Sequence, residues 1–254
     1  MSNADDCKDE PDSRVLVDRY YADPARRQST MRDLFNRSAQ HYDLVNRIFS
    51  LGSGGWYRRF CLRRAGVRPG VLVVDVATGT GLLAREALAL TGERRAVIGV
   101  DVSEAMLMIA QRNLGIPLIQ ASAEALPLAS GIADFLIMGY ALRHVADLGT
   151  ALAEAMRVLR PGGSIVLLEV SAPRGRLLRA LAGGFIGFVV PLLCLLMARD
   201  RRARVLMQYH WRSILDYLPP DAIVQVLNDG GFESVSCKSY LDLFHHYSGR
   251  KPGS

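Results

Sequence analysis

The feature that most restricts the fold is an apolar run that closes on an acid, opens into glycine, and then partly repeats. Val71-Leu-Val-Val-Asp75 leads into Ala77-Thr-Gly-Thr-Gly81 and a helix-like segment to Leu90, and Ala96-Val-Ile-Gly-Val-Asp101 renews the strand-then-acid pattern. Ser103, ahead of Met106, Leu107 and Ala110, has the place and chemistry of a helix N-cap. Pro117 to Gln120, Ala133 to Met138 and Ser164 to Val170 predict three more strands, with a helix over Ala151 to Leu159 stopped by Pro161-Gly-Gly163. Strands apolar on both faces and alternating with helices imply a parallel sheet covered on both sides. Phe232 to Cys237 and Leu243 to Ser248 complete it as a hairpin-like antiparallel edge. The expected class is therefore α/β, a doubly wound, mostly parallel seven-stranded sheet of Rossmann-like type.

A chain of 254 residues suits one large domain of this kind. Residues 1–30 are polar, carry Pro11 and Pro24, and read as a flexible lead to a domain over 31–254. Within it, 31–66 predicts N-terminal helices, 71–170 the cofactor-binding core, 174–218 an apolar helical insert, and 219–254 a C-terminal helix and the last strands. Cys7, Cys61, Cys194 and Cys237 form no C-x-x-C pair, so neither a disulfide framework nor a metal site is expected. The acidic, polar start lacks the basic and apolar regions of a secretion signal, which favours the cytoplasm. The net charge of +6 is mild: it suits a soluble surface or an anionic headgroup layer, and no nucleic acid partner is expected.

Ligands of open parallel sheets bind beyond the carboxyl ends of the strands, which singles out the loops after Asp75, Asp101 and Met138. Gly79 and Gly81 let a ligand lie on bare backbone, and the next helix presents its free N–H groups there. Gly79-Thr-Gly81-Leu-Leu-Ala84, with Asp101 20 residues past Gly81, also fits the dinucleotide fingerprint. Asp75 inside the turn argues against that rival, because a carboxylate repels a pyrophosphate but suits a cationic sulfonium donor. Asp101 can hold a ribose diol in either case. The plainer alternative is that both acids only cap helices.

With these motifs, the chain resembles the class I methyltransferases, and among them the C-methyltransferases of ubiquinone and menaquinone biosynthesis. The resemblance runs from about Phe35 to Pro252. It rests on Phe35-Asn36, His41-Tyr-Asp-Leu-Val-Asn46, Ser50-Leu-Gly52 and Trp56, then Asp75 to Gly81 and Asp101 to Leu107. Ala123-Glu-Ala-Leu-Pro127, Leu142-Arg-His-Val-Ala-Asp147, Arg157 to Gly163, Leu168-Glu-Val-Ser171 and Gly231-Phe232 continue it. The resemblance implies S-adenosyl-L-methionine as methyl donor and S-adenosyl-L-homocysteine as product. It implies that Tyr42 and Gly79 touch the donor, that Asp101 binds its ribose, and that Ser122 and Ala123 flank its adenine. Asp75, Ala77, Gly81, Val102, Met106 and Gly139 fill out the expected donor site. The chain departs from the pattern at Ala77, where many relatives carry glycine, at Ser122 for Asn or Asp, at His144 for Asn, and in its C-terminal ending.

Methylating a carbon of a hydroquinone ring requires a base for the neighbouring hydroxyl and a cation for the phenolate. Arg143 is the expected cation and His144 the expected base, with Tyr140 and Asp147 as supporting candidates. His210, His245 and His246 stand lower, the last two as a pair at the mouth of the site. Leu181 to Ala198 is eighteen residues without a charge, but Gly183, Gly184, Gly187 and Pro191 speak against a membrane span. Either these residues are buried over the site, or they form a lid or interfacial helix receiving a lipophilic tail. Arg174, Arg176 and Arg179 before it, and Arg199, Arg201, Arg202 and Arg204 after it, suit peripheral contact of the 174–204 segment with an anionic membrane. The acceptor is expected to be a lipophilic small molecule, with a homodimer left open. Its rivals are O-, N- or C-methylation of another small molecule, a dinucleotide oxidoreductase, and a non-catalytic assembly partner.

Overall fold

The two acid-terminated runs become the central strands β1 (Val73–Val76) and β2 (Val97–Asp101), paired in parallel with Asp75 opposite Gly99. The structure is a computed structural model that describes residues 24–190, 192, 213–214 and 217–253. The remaining strands are β3 (Leu118–Gln120), β4 (Ala133–Gly139), β5 (Leu159–Val170), β6 (Glu233–Tyr240) and β7 (Phe244–Arg250). They form one seven-stranded sheet in the order β3-β2-β1-β4-β5-β7-β6, with β7 antiparallel to both of its neighbours. The order reverses at β1 and β4, so the crevice beyond their carboxyl ends is where a ligand belongs.

The strands are apolar on both faces because each face has its own core. Val74, Val76, Leu136, Met138, Ile165 and Leu167 pack on one side, against Leu152 and Ala155 of α5 (Leu148–Val158) and Ile223 and Leu227 of α7 (Pro220–Asp229). Val73, Ile137, Val166 and Leu168 face the other side, where α2 (Gly54–Ala65) contributes Cys61 and Leu62 and α3 (Leu82–Thr91) contributes Leu83, Ala84 and Ala87. The Ser103 side chain accepts from the Met106 N–H at 3.2 Å and caps α4 (Glu104–Leu114), as its sequence position suggested.

Two boundaries differ from the sequence reading. Helix α1 (Pro24–Phe49) begins inside the stretch taken as a lead, because proline is tolerated in a first helical turn, where its missing N–H would have no partner. Pro161-Gly-Gly163 does not stop α5. That helix ends at Val158, β5 starts at once, and residues 160–163 bulge out between the Ala133↔Leu159 and Phe135↔Ser164 pairs. A Cβ on Gly163 would sit 2.9–3.1 Å from the carbonyl oxygens of Arg160, Ala133 and Asp134, so backbone packing there requires glycine.

The apolar insert starts as α6 (Arg176–Gly184) and continues as a wider turn over Phe185–Val189. Ala182, Ile186 and Val190 form its buried stripe, packed on Val45 and Ile48 of α1. Leu177, Leu181 and Phe188 face outward, between 61% and 75% exposed. Neither sequence alternative describes it fully, since one side is core and the other is bare. Among the described residues, no helix is long and apolar enough to cross a membrane. Residues 1–23, most of 193–216, Cys7, Cys194, His210 and the arginines from Arg199 to Arg204 lie outside the described residues.

Candidate active site

Beyond β1 the chain turns through left-handed backbone at Ala77 (φ 55°), Gly79 (φ 58°) and Gly81 (φ 86°) before α3 begins. A Cβ on Gly79 would meet nothing within 4 Å, so bare backbone faces an open cleft. A Cβ on Gly81 would come within 2.5 Å of Leu114 Cδ1, so that glycine serves the packing of α3 on α4 and not the cleft. At the end of β2, Asp101 Oδ2 accepts from the Gly79 N–H at 2.8 Å, and Oδ1 from the Ser103 N–H at 2.8 Å. One carboxylate thus ties the glycine loop to the start of α4 while bordering the cleft. Burial raises its pKa, and the N–H groups of Ser103 and Gly79 pull it back.

Helix α1 closes the cleft from above through two polar staples. Asn36 Oδ1 accepts from Ser103 Oγ at 2.6 Å, and Asp43 Oδ1 accepts from Thr80 Oγ1 at 2.5 Å. They hold Phe35 and Tyr42 over a cavity of about 100 Å³ whose other walls include Ala77, Gly79, Asp101, Val102, Met106, Ala123, Gly139, Tyr140 and His144. Most of the donor residues expected from sequence therefore meet at one place.

Besides Gly81 and Arg143, three further expected site residues do not reach it. Asp75 is fully buried beneath the loop, where its Oδ2 accepts from Thr78 Oγ1 at 2.7 Å. Burial pushes its pKa up to about 7, against the Thr78 bond and the Ala84 N–H. It braces the turn from beneath and does not line the cleft, which removes the electrostatic reason for preferring a sulfonium over a pyrophosphate. Ser122 is absent from the cleft lining. It bonds to Glu124, which does line the cleft and accepts from the Ala146 N–H at 2.8 Å. Asp147 is exposed and caps α5, accepting from the Thr150 N–H at 3.1 Å and the Thr150 hydroxyl at 2.7 Å.

A second cavity, of about 280 Å³, shares Tyr42 and Tyr140 with the first. Phe49, Trp56, Tyr57, Phe60, Tyr240 and Phe244 make its lining largely aromatic. Tyr140 stands between the two cavities in strained left-handed backbone (φ 61°), and burial pushes its pKa up to about 12. Arg143 and His144 face different sides of this junction: Arg143 borders the aromatic cavity, while His144 borders the glycine-loop cleft with its ring edge-on to Phe35 at 5.2 Å. Arg143 forms a buried ion pair with Glu169 at 2.8 Å, and Glu169 also accepts from the Leu142 N–H at 2.9 Å. Burial raises the Glu169 pKa and Arg143 opposes the rise.

Sequence reasoning missed Glu169, Glu124 and Arg58. Arg58 borders the aromatic cavity, only 7% exposed, with its guanidinium carbon 5.5 Å from the centre of the Tyr140 ring. A signal did exist: Gly54, Arg58, Cys61 and Leu62 share the buried face of α2, so this arginine occupies a core position of the helix. His245 and His246 line neither cavity. His245 is 2.6 Å from Ser171 Oγ, and burial lowers the His246 pKa to about 4. Among the described residues no cluster of His, Cys, Asp or Glu could hold a metal ion.

This strand order, with a glycine loop and an aspartate meeting at the ends of adjacent central strands, defines a Rossmann-like methyltransferase that uses S-adenosylmethionine. Solved structures agree on the fold. A SAM-dependent methyltransferase from Thermotoga maritima superposes with a TM-score of 0.61 at 20% identity, covering 87% of this chain and 99% of that one. Phosphoethanolamine N-methyltransferase 2 of Haemonchus contortus, in complex with S-adenosyl-L-methionine, gives 0.55 at 16% identity, covering 78% and 53%. The chain belongs to the ubiE/COQ5 methyltransferase family, whose model matches residues 24–242. Among its relatives are the ubiquinone/menaquinone biosynthesis C-methyltransferases UbiE of Shewanella pealeana and Coxiella burnetii. The first is 31% identical, covering 82% of this chain and 85% of the relative; the second is 32% identical, covering 86% of each.

Proposed function

We propose that the chain transfers a methyl group from S-adenosylmethionine to a ring carbon of a prenylated hydroquinone of the ubiquinone or menaquinone type. The observation that carries this reading is the aromatic-walled cavity joined to the donor cleft at Tyr42 and Tyr140. Its largely aromatic lining suits a ring with a hydrocarbon tail, and it lies beside the donor cleft across Tyr42 and Tyr140. The names of the relatives support the same acceptor class.

The donor site fits its group. Gly79 leaves backbone bare toward the cleft, Asp101 presents carboxylate oxygens for the ribose hydroxyls, and Met106, Val102 and Ala123 supply apolar walls for the adenine. When bound, S-adenosylmethionine supplies an electrophilic methyl group on a sulfonium. Tyr42 and Tyr140 orient the ring at the junction and exclude water from it. His144, on the donor side, takes the proton from the ring hydroxyl, which places electron density on the adjacent carbon. Arg143, held by Glu169, shapes the far wall. Its charge is already matched by that carboxylate, so it is a weaker partner for a phenolate than sequence suggested.

The acceptor's lipophilicity gives the bare side of α6 a role. Leu177, Leu181 and Phe188, beside Arg174, Arg176 and Arg179, suit shallow contact with an anionic bilayer at its cytoplasmic face. Methylation assays with a short-chain prenylated hydroquinone, a catechol and an amine acceptor test the reading. Transfer to carbon of the first supports it, and transfer only to oxygen or nitrogen overturns the acceptor. Co-sedimentation with anionic vesicles, lost in Leu181→Asp and Phe188→Asp, tests the membrane contact. Vesicle binding unaffected by these changes, or a dimer that they dissociate, overturns it.

A further inference from the structure

Arg58 is a cation placed where a cation is expensive. Its side chain is buried on the inner face of α2, its one hydrogen-bond partner among the described residues is Asn46 Oδ1 at a long 3.4 Å, and its guanidinium lies against the Tyr140 ring. No carboxylate lies within ion-pair distance of it among the described residues. Across a hollow on its other side, Glu86 is paired with Arg59 at 2.7 Å, while Asp43 accepts from the Thr80 hydroxyl and makes no ion pair with Arg58. Its remaining neighbours stay neutral. Burial raises the pKa of Tyr42 on α1, of Tyr57 on α2 and of Tyr140 after β4, so none of these phenols supplies a negative charge at neutral pH. Asp75 makes no ion pair with Arg58, its Oδ2 accepting from Thr78, and the other arginine of the cavity is matched by Glu169. A buried cation without an ion-pair partner is costly unless an anion completes it.

We infer that Arg58 is an anion site for the acceptor itself: the guanidinium beside Tyr140 binds the ionised ring oxygen of a phenolic ligand in the aromatic cavity. This deepens the proposed function and rests on its acceptor class. The aromatic lining takes the ring and its tail, and Arg58 supplies the positive charge that Arg143 does not have to spare. Binding the oxygen as an anion holds electron density on the adjacent ring carbon before transfer. Gly54, one turn earlier, makes room for the arrangement, since a Cβ there would come within 3.0 Å of Arg58 Nη1.

The test uses an alkyl-substituted nitrophenol, whose ionisation is visible in its own absorption, and the corresponding nitroanisole, which cannot ionise. Both are titrated into the full chain saturated with S-adenosylhomocysteine. The wild-type protein is expected to bind the phenolate form preferentially and to shift the probe's ionisation to lower pH. Arg58→Met, close in shape and apolar, is expected to lose roughly 10- to 100-fold in phenolate affinity, to abolish the shift, and to bind the anisole as before. Arg58→Lys recovers part of the phenolate affinity. Equal phenolate affinity in wild type and Arg58→Met overturns the inference, as does a loss shared equally by the anisole, or a wild-type protein that binds neither probe. S-adenosylhomocysteine binding by each variant shows that the fold is intact. Failure to methylate any hydroquinone would count against the proposed function and leaves the phenolate result standing on its own readout.

Discussion

Exchanging Asp101 for Asn replaces one carboxylate oxygen by an NH2 group and removes the charge. In the folded protein both oxygens already accept backbone hydrogen bonds, from Gly79 and from Ser103, each at 2.8 Å. The amide can accept only one of them, so the other buried N–H faces a second donor. Loss of one charge-assisted bond is worth about 1.5–3 kcal/mol. The amide recovers part of this, because burial disfavours the charged carboxylate, as the raised pKa of Asp101 shows. The net expectation is a destabilisation of about 2 kcal/mol, which for a domain of this size lowers Tm by roughly 4–8 °C. Donor affinity falls at the same time, since the cleft loses a ribose acceptor and the Gly79 backbone its anchor. Thermal unfolding with and without S-adenosylhomocysteine separates the two effects, with calorimetric titration as the direct measure. If the free variant melts within about 1 °C of wild type and binds S-adenosylhomocysteine equally well, Asp101 neither ties the loop nor holds the ribose, and the donor-site assignment is wrong.

Further outcomes follow from single residues. The folded-state pKa of Asp75 is raised from 3.8 to about 7, so its contribution to stability is full below the unfolded value and is lost as pH rises toward 7, at about 1.4 kcal/mol per unit. Asp75→Asn should remove this slope and leave the variant more stable than wild type above neutrality; urea midpoints that still fall in parallel between pH 4 and 7 would count against the buried proton. Ala77 holds a left-handed conformation that costs an L-residue about 1–2 kcal/mol, part of which glycine gives back through its freer unfolded chain. Ala77→Gly should therefore raise stability by up to about 1 kcal/mol, and a less stable glycine variant in denaturant titration would show that the methyl group packs usefully. Asp147→Ala removes an N-cap and should lower Tm slightly while leaving S-adenosylhomocysteine affinity and turnover as in wild type. A large loss of turnover at unchanged stability would return Asp147 to the site.

Features made by hydrogen bonds over a few residues, or by strand and helix period, were legible from the chain alone. Both strand-then-acid runs, the Ser103 cap, the bare backbone at Gly79 and the covered parallel sheet belong to this class. So does the position of the cleft, because the sheet places successive βα loops at one end and the motifs name the loops. Asp147, a supporting candidate by sequence, is an exposed N-cap in the fold. Pro161-Gly-Gly163 looks like a helix stop, yet close backbone approach between β4 and β5 is what calls for its glycine.

The aromatic cavity depended on tertiary structure. Arg58 comes from α2, Asn46 from α1, and Tyr140 from the turn after β4, and no spacing in the chain relates them. Glu169 on β5 neutralises Arg143 across 26 residues only because β5 lies beside β4. Asp75 ends the first run just as Asp101 ends the second. Its neighbour in the fold is a buried Thr78 and not the ligand cleft, so two acids alike in sequence have different tasks. Burial and charge pairing are set by which elements meet. The sequence names the groups, and only their packing decides which of them remains charged, exposed to a ligand, and unmatched.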